Sequence, residues 1–141
     1  MKLSEEEMKE KHAQFQYVQK QIEQISEHIE TLNQQRQELD ATISAMNDLM
    51  LVEPGSEIVA PIANGIFIKG KITDKTLLVN VGANTTVERT ISEVVILLEK
   101  QKEEVTENTV DAEGVMQELT QHALKIFKDV EDNVQHPPEQ I

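Results

Sequence analysis

Cysteine and tryptophan are absent from this chain, and only 3% of its residues are aromatic. Without cysteine there is no disulfide framework and no thiolate to act as ligand or nucleophile. Large rings supply much of the buried area of an ordinary core, so a conventional globular interior is not expected. Hydrophobic residues nevertheless make up 38% of the chain, too many for a disordered segment. They must sit in a narrow, repeating seam. No run of about 18 apolar residues exists, so no membrane-spanning helix is expected. The stretch from Met1 to Lys11 is charged and lacks the apolar centre of a signal peptide. A soluble protein of the cytoplasm is the expectation, and 141 residues suit one domain.

Bases are also scarce. Thirteen Lys and Arg face 26 Asp and Glu, for a net charge of −13. Non-specific nucleic-acid binding draws on counterions released as Lys and Arg contact phosphates, so this composition argues against a nucleic-acid partner. The imbalance is uneven. Residues 1–51 hold ten acids and five bases, residues 52–90 four of each, and residues 91–141 twelve acids and four bases. Two acidic outer segments thus flank a neutral middle, which suggests parts with different neighbours.

The first segment carries a heptad seam. Steps of three and four alternate through Met8, Lys11, Phe15, Val18, Ile22, Ile25, Ile29, Leu32, Arg36, Leu39, Ile43, Met46 and Met50, and only Lys11 and Arg36 break the apolar row. A sustained period of this kind predicts a coiled coil. Neither Pro nor Gly occurs before Pro54, and Ser4 with Glu7 reads as a capping box. A helix over 4–51 is predicted, about 70 Å long at roughly 1.5 Å per residue. The last segment has a weaker seam: Val95, Leu98, Lys102, Val105, Thr109, Ala112, Met116, Leu119, Ala123, Ile126, Val130 and Asn133. Ser92-Glu93 lies near its start and Pro137-Pro138 ends it, giving a second helix over 91–135. Gly114 inside that helix costs about 1 kcal/mol relative to Ala.

The two seams are in phase when one is read backwards. Paired antiparallel, Met46 faces Val95, Ile22 faces Leu119 and Phe15 faces Ile126, each pair of numbers adding to 141. Lys11, Arg36 and Lys102 then meet Val130, Val105 and Leu39, along which a long stem can lie while the charge reaches water.

Glu53-Pro54-Gly55-Ser56 stops the first helix. Short β-like runs follow over residues 58–62, 66–72, 76–81 and 86–90, separated by turn signals at Asn64-Gly65, Thr73-Asp74-Lys75 and Gly82-Ala83-Asn84. Two hairpins within 57–90 are the natural reading. Ile66, Ile68 and Ile72 share one face of the second run, and Leu77, Val79 and Val81 alternate along the third. An insert this small cannot bury enough surface alone, and its open apolar edges invite another chain. Ile66, Phe67, Ile68, Ile72, Leu77, Val79 and Val81 are therefore the expected subunit-assembly residues. The fold class is mainly α: a long antiparallel coiled-coil hairpin with a small two-hairpin β insert that joins an oligomeric body.

The insert residues Pro61-Ile62, Phe67-Ile68-Lys69-Gly70, Asp74, Leu78-Val79-Asn80-Val81-Gly82 and Val87-Glu88-Arg89, continuing into Ile91-Ser92-Glu93, resemble those of archaeal-type prefoldin alpha subunits. The resemblance covers nearly the whole chain, as one prefoldin-like domain over 1–141. Two hairpins rather than one point to the alpha class. The resemblance implies a hexamer of two alpha and four beta subunits, whose hairpins build a β-barrel body. It implies that coiled-coil tips hold unfolded proteins without ATP and pass them to a group II chaperonin. The short tail Gln135-His136-Pro137-Pro138-Glu139-Gln140-Ile141 departs from that pattern.

Enzymatic chemistry finds little support. His12, His28, His122 and His136 are the only histidines. The register sets His12 opposite Asp129 and brings no three of them together, whereas a metal needs three or four ligands at one point. No cofactor is expected, since no Gly-rich loop opens a helix to cradle phosphate. Acidic runs such as Glu5-Glu6-Glu7 read as solvated faces, here placed favourably at a helix start. The sharper site lies where the two chain ends meet. Leu3, Tyr17, Leu124, Phe127 and Val134 are apolar residues outside the seam, and the distal seam residues Met8, Phe15, Ile126 and Val130 add to them if the end frays. Leu3, Met8, Tyr17, Leu124, Phe127 and Val134 are the candidate client-binding residues, with Tyr17 and Leu124 expected side by side. The competing reading is that they only seal the last heptads. The competing function is a structural tether that sets a spacing between partners. A polymerase-inserting coiled coil would need its acids at the bend, where this chain is neutral.

Overall fold

A computed structural model describes residues 3–135, and the side chains of 3–132. The order of elements is α1 (Glu5–Met50), β1 (Glu57–Ala63), β2 (Ile66–Lys71), β3 (Leu77–Gly82), β4 (Thr85–Arg89) and α2 (Ile91–Gln135). They fall into two compact units, one of residues 1–35 with 105–141 and one of residues 36–104. His136, Pro137 and Pro138 lie outside the described residues.

The helix ends follow from local chemistry. At the start of α1 the Ser4 hydroxyl oxygen accepts from the Glu7 N–H at 3.1 Å, satisfying a donor that has no partner within the helix. Glu5, Glu6 and Glu7 occupy the first turn, where the helix dipole favours anions. The end of α1 has no basic residue of its own. Its carbonyls are met instead by a tightened turn, with Leu51 N–H donating to Asp48 and Val52 N–H to Leu49 at 3.1 Å each. Lys75, from the link between β2 and β3, donates from Nζ to the Met50 carbonyl at 2.7 Å. For α2 the cap is Thr90, whose Oγ1 accepts from Glu93 N–H at 3.1 Å. This lies just before the Ser92-Glu93 pair that marked the start in the sequence.

The seams are shielded as their period requires. Among the described residues every seam position on both helices is buried or half-buried except Met50, the last position of α1. In the unit built from the early part of α1 and the later part of α2, Val18, Ala123 and Ile126 form the buried cluster, with Phe15, Ile22 and Leu119 packed against it. Here α1 numbers rise as α2 numbers fall. Lys11 Nζ pairs with Asp129 at 3.5 Å, and the Phe15 and Phe127 rings lie 6.2 Å apart. In the other unit Lys102 Nζ meets Asp40 at 2.6 Å. Each of these contacts joins residues whose numbers add to within one of 141. A seven-residue slip, which would also keep the heptad phase, does not fit them. Thr109 is a buried polar seam residue, and its hydroxyl is satisfied by the Val105 carbonyl at 2.8 Å.

The insert forms two separate two-stranded antiparallel sheets, β1 with β2 and β3 with β4. Cross-strand partners share a face. The pairs Ile58–Gly70 and Ala60–Ile68, with Ile66, therefore make one face of the first hairpin apolar. Its other face combines Val59, Pro61 and Phe67 with Lys69. An added Cβ at Gly70 would meet Ile58 at 3.6 Å, an ordinary van der Waals contact, so the Ile58 side chain lies over the glycine on this face. Ile72 lies one residue past β2 and closes the base of the hairpin, its N–H donating to the Ser56 carbonyl at 3.0 Å. In the second hairpin Leu77, Val79 and Val87 share a half-buried face, while Asn80, Thr86 and Glu88 lie on the opposite one. Its turn takes Ala83 and Asn84 to φ of 48° and 59°, the left-handed pair that suits the twist of a tight hairpin.

Candidate functional site

Two surfaces stand out, one in each unit. The first is the β1–β2 hairpin. Every residue of β2 is exposed, and along β1 only Ala60 is half-buried. Of the residues expected to assemble subunits, Ile66, Phe67, Ile68 and Val81 are exposed, whereas Ile72, Leu77 and Val79 are half-buried within this chain. Ile58, Val59, Ile62 and Leu78 are exposed as well and were not among the expected set. The strand alternation that singled out Ile66 and Ile68 applies equally to their partners on β1. A lone two-stranded hairpin is at best marginally stable in water. Here the two sheets share no hydrogen bonds with each other, so each keeps unpaired backbone edges. The chemistry on offer is strand addition and apolar burial.

The second surface is a shallow groove of about 530 Å³ in the other unit, between the early part of α1 and the later part of α2. It is lined by Phe15, Gln19, Ile22 and Glu23 of α1 and by Thr120, Ala123, Leu124 and Phe127 of α2. Leu124 is 61% exposed and Phe127 50% exposed, although the seam beneath them is already closed by Ala123 and Ile126.

Of the candidate client residues the structure therefore brings Leu124 and Phe127 together. Tyr17 is 64% exposed and is not among the residues lining the groove, whereas Leu124 is. The reason is heptad geometry. With Phe15 and Ile22 at position a, Gln19 falls at e and Glu23 at b, while Tyr17 falls at c on the other flank. In α2, Thr120 and Phe127 fall at e and Leu124 at b. Antiparallel helices set e against e, so residues whose numbers match across the seam can still lie on opposite flanks. Leu3 and Met8 are half-buried, and the Val134 side chain lies outside those described. Gln19, Ile22, Glu23, Thr120 and Ala123 line the groove without having been expected there, because the seam period separates seam from non-seam positions but does not give the flank on which a residue lies.

The described histidines do not come together in a site. His12 Nε2 shares a hydrogen bond with Gln16 at 3.2 Å, and Asp129, expected opposite His12, pairs instead with Lys11. Among the described residues no group of three or more His, Asp or Glu is placed to hold a metal ion. No helix among them is long and apolar enough to cross a membrane.

Comparison with known proteins adds an independent line. The chain matches the prefoldin family, described as prefoldin subunit, over residues 5–136. It is 30% identical over 121 residues to prefoldin subunit alpha of Pyrococcus horikoshii, covering 84% of this chain and 82% of that protein. The corresponding protein of Methanococcus aeolicus is 28% identical over 131 residues, covering 92% and 89% of the two chains. Among solved structures, a chain of the filamentous PFD from Methanocaldococcus jannaschii, determined by cryo-EM, is similar with a TM-score of 0.61. The match covers 86% of this chain and 96% of that one at 17% identity, a likeness of fold alone.

Proposed function

Given that this chain belongs to the prefoldin family, whose subunits are non-enzymatic and chaperone-type, we propose that it is an alpha subunit that holds unfolded proteins without ATP. The observation that carries the reading is the groove beside a completed seam. Phe127 and Leu124 stay exposed although Ile126 and Ala123 have already closed the helix pair. Apolar area left over in this way is available to an unfolded chain. Burying one such side chain contributes roughly 1.5–3 kcal/mol, so a single groove binds weakly. Several grooves in one oligomer raise avidity through effective concentration. The remaining candidates, Leu3, Met8, Tyr17 and Val134, add further contacts to a held client, Tyr17 from the flank opposite the groove.

The exposed β1–β2 hairpin is the assembly element. Its partners are beta-type subunits, four of them with two alpha subunits, joined through a closed barrel that leaves no free strand edges. The held client passes to a group II chaperonin, and the work is done in the cytoplasm.

Aggregation of a chemically denatured enzyme tests the reading, with no nucleotide present and with this chain added alone or together with a beta-type partner. Suppression by the assembled pair is expected. A full complement of oligomer that gives no suppression would leave the chain a structural tether.

A further inference from the structure

We propose that the groove selects basic clients: its occupant is a segment of an unfolded protein that carries bulky apolar residues next to lysine or arginine. This rests on reading the groove as a holding site and goes beyond it by naming what is held. Of the eight lining residues, Glu23 is the only one with a formal charge, and that charge is negative. Gln19 and Thr120 are neutral polar lining residues, the Thr120 hydroxyl already donating to the Met116 carbonyl, and Phe15, Ile22, Ala123, Leu124 and Phe127 supply the apolar lining.

The surrounding field has the same sign. Among the described residues, 3–35 contain seven acids and three bases, and 105–135 seven acids and two bases, so the described part of the unit that bears the groove carries 14 acids to five bases. Residues 36–104 carry eleven acids to seven bases. Lys11 is engaged by Asp129, and no lysine or arginine lines the groove. Charges within about 10 Å act on one another at ordinary ionic strength. A cationic segment is therefore drawn in and an acidic one repelled, and repulsion of the wrong partner is half of specificity. The volume lies in the range that buries a small cluster of side chains. A second copy of this chain is a poor occupant, because it would bring an equally acidic unit against this one.

The test uses the full chain assembled with its beta-type partner and two fluorescent peptides. The peptides share the same leucines and phenylalanines but carry either four lysines or four glutamates. By anisotropy at low salt the lysine peptide should bind at least about tenfold more tightly, and about 0.5 M salt should bring the two within about twofold. Leu124→Ser with Phe127→Ser should weaken the lysine peptide at least about fivefold, since it removes the apolar wall. Glu23→Lys, an exposed change that leaves packing intact, should cut the ratio between the peptides about threefold. Equal binding of the two peptides overturns the proposal. So does lysine-peptide binding that ignores the double substitution, which would be mere adhesion to an acidic surface. A native mass that falls with the double substitution also overturns it, in favour of a contact between subunits. If the double variant loses aggregation suppression while both peptides bind alike, the holding site stands and the charge selection falls. If it suppresses aggregation like the wild type, the holding site falls and this proposal with it.

Discussion

Ile126 and Phe127 are neighbours in sequence with opposite surroundings, and alanine at each should separate stability from function. Ile126 is 2% exposed and belongs to the buried cluster with Val18 and Ala123. Ile126→Ala removes three carbons at about 0.8 kcal/mol each and leaves a cavity, so a loss of about 2–5 kcal/mol is expected. Phe127 is 50% exposed, so its burial is worth about half the usual value. With the tilted contact to the Phe15 ring, Phe127→Ala should cost about 1–2 kcal/mol. Urea unfolding followed by helical circular dichroism gives both numbers, with the beta-type partner and all concentrations held constant. Aggregation suppression is measured at a temperature where both variants remain folded. Ile126→Ala should keep most of its holding activity per folded oligomer, and Phe127→Ala should lose most of it. Equal losses of stability would refute the division into seam and flank. Full holding activity in Phe127→Ala would refute the role of the groove.

Gly114 sits in the exposed interior of α2, with no atom near an added Cβ, so Gly114→Ala should raise stability by about 0.5–1 kcal/mol in the same urea assay. Ile68→Glu places a charge on the apolar face of the β1–β2 hairpin. It should shift the native mass with the beta-type partner to smaller species while helix content is kept, and an unchanged mass would contradict the assembly role. Lys102 holds its proton above the ordinary lysine value of 10.5, chiefly through its hydrogen bond to Asp40 and then through that carboxylate's charge. A raised folded value means that the pair's contribution is complete below 10.5 and is lost only as pH rises through the higher folded value. Titration of the Lys102 Nζ by NMR should show this, and Asp40→Asn should abolish the upward displacement.

Much of this architecture is legible in the linear pattern. A period of three and four is a statement about one face of a helix, so it needs no knowledge of partners. The antiparallel register was legible too, because two interrupted seams of near-equal length match in only a few ways. The strand runs were readable from alternation and from turn residues such as Asn64-Gly65. What the pattern did not convey was which flank a residue occupies once two helices pair. Tyr17 and Leu124 match across the seam by number, yet their heptad letters, c and b, belong to opposite flanks. The end of α1 was likewise opaque, since its carbonyls are met by Lys75, 25 residues further along the chain.

The amino-acid sequence by itself determined two long amphipathic helices, their opposed directions, and a neutral β insert too small to stand alone. Each of these depends on contacts between near neighbours or on a repeating pattern, both of which a linear string records. Only the tertiary structure decided that Phe127 and Leu124 share a groove with Phe15 and Ile22, with Glu23 as its single charge. It also decided that the face bearing Ile66 and Ile68 remains uncovered within the chain. Those outcomes depend on which side chains approach through space and which are left without a neighbour, and that follows from packing rather than from order along the chain.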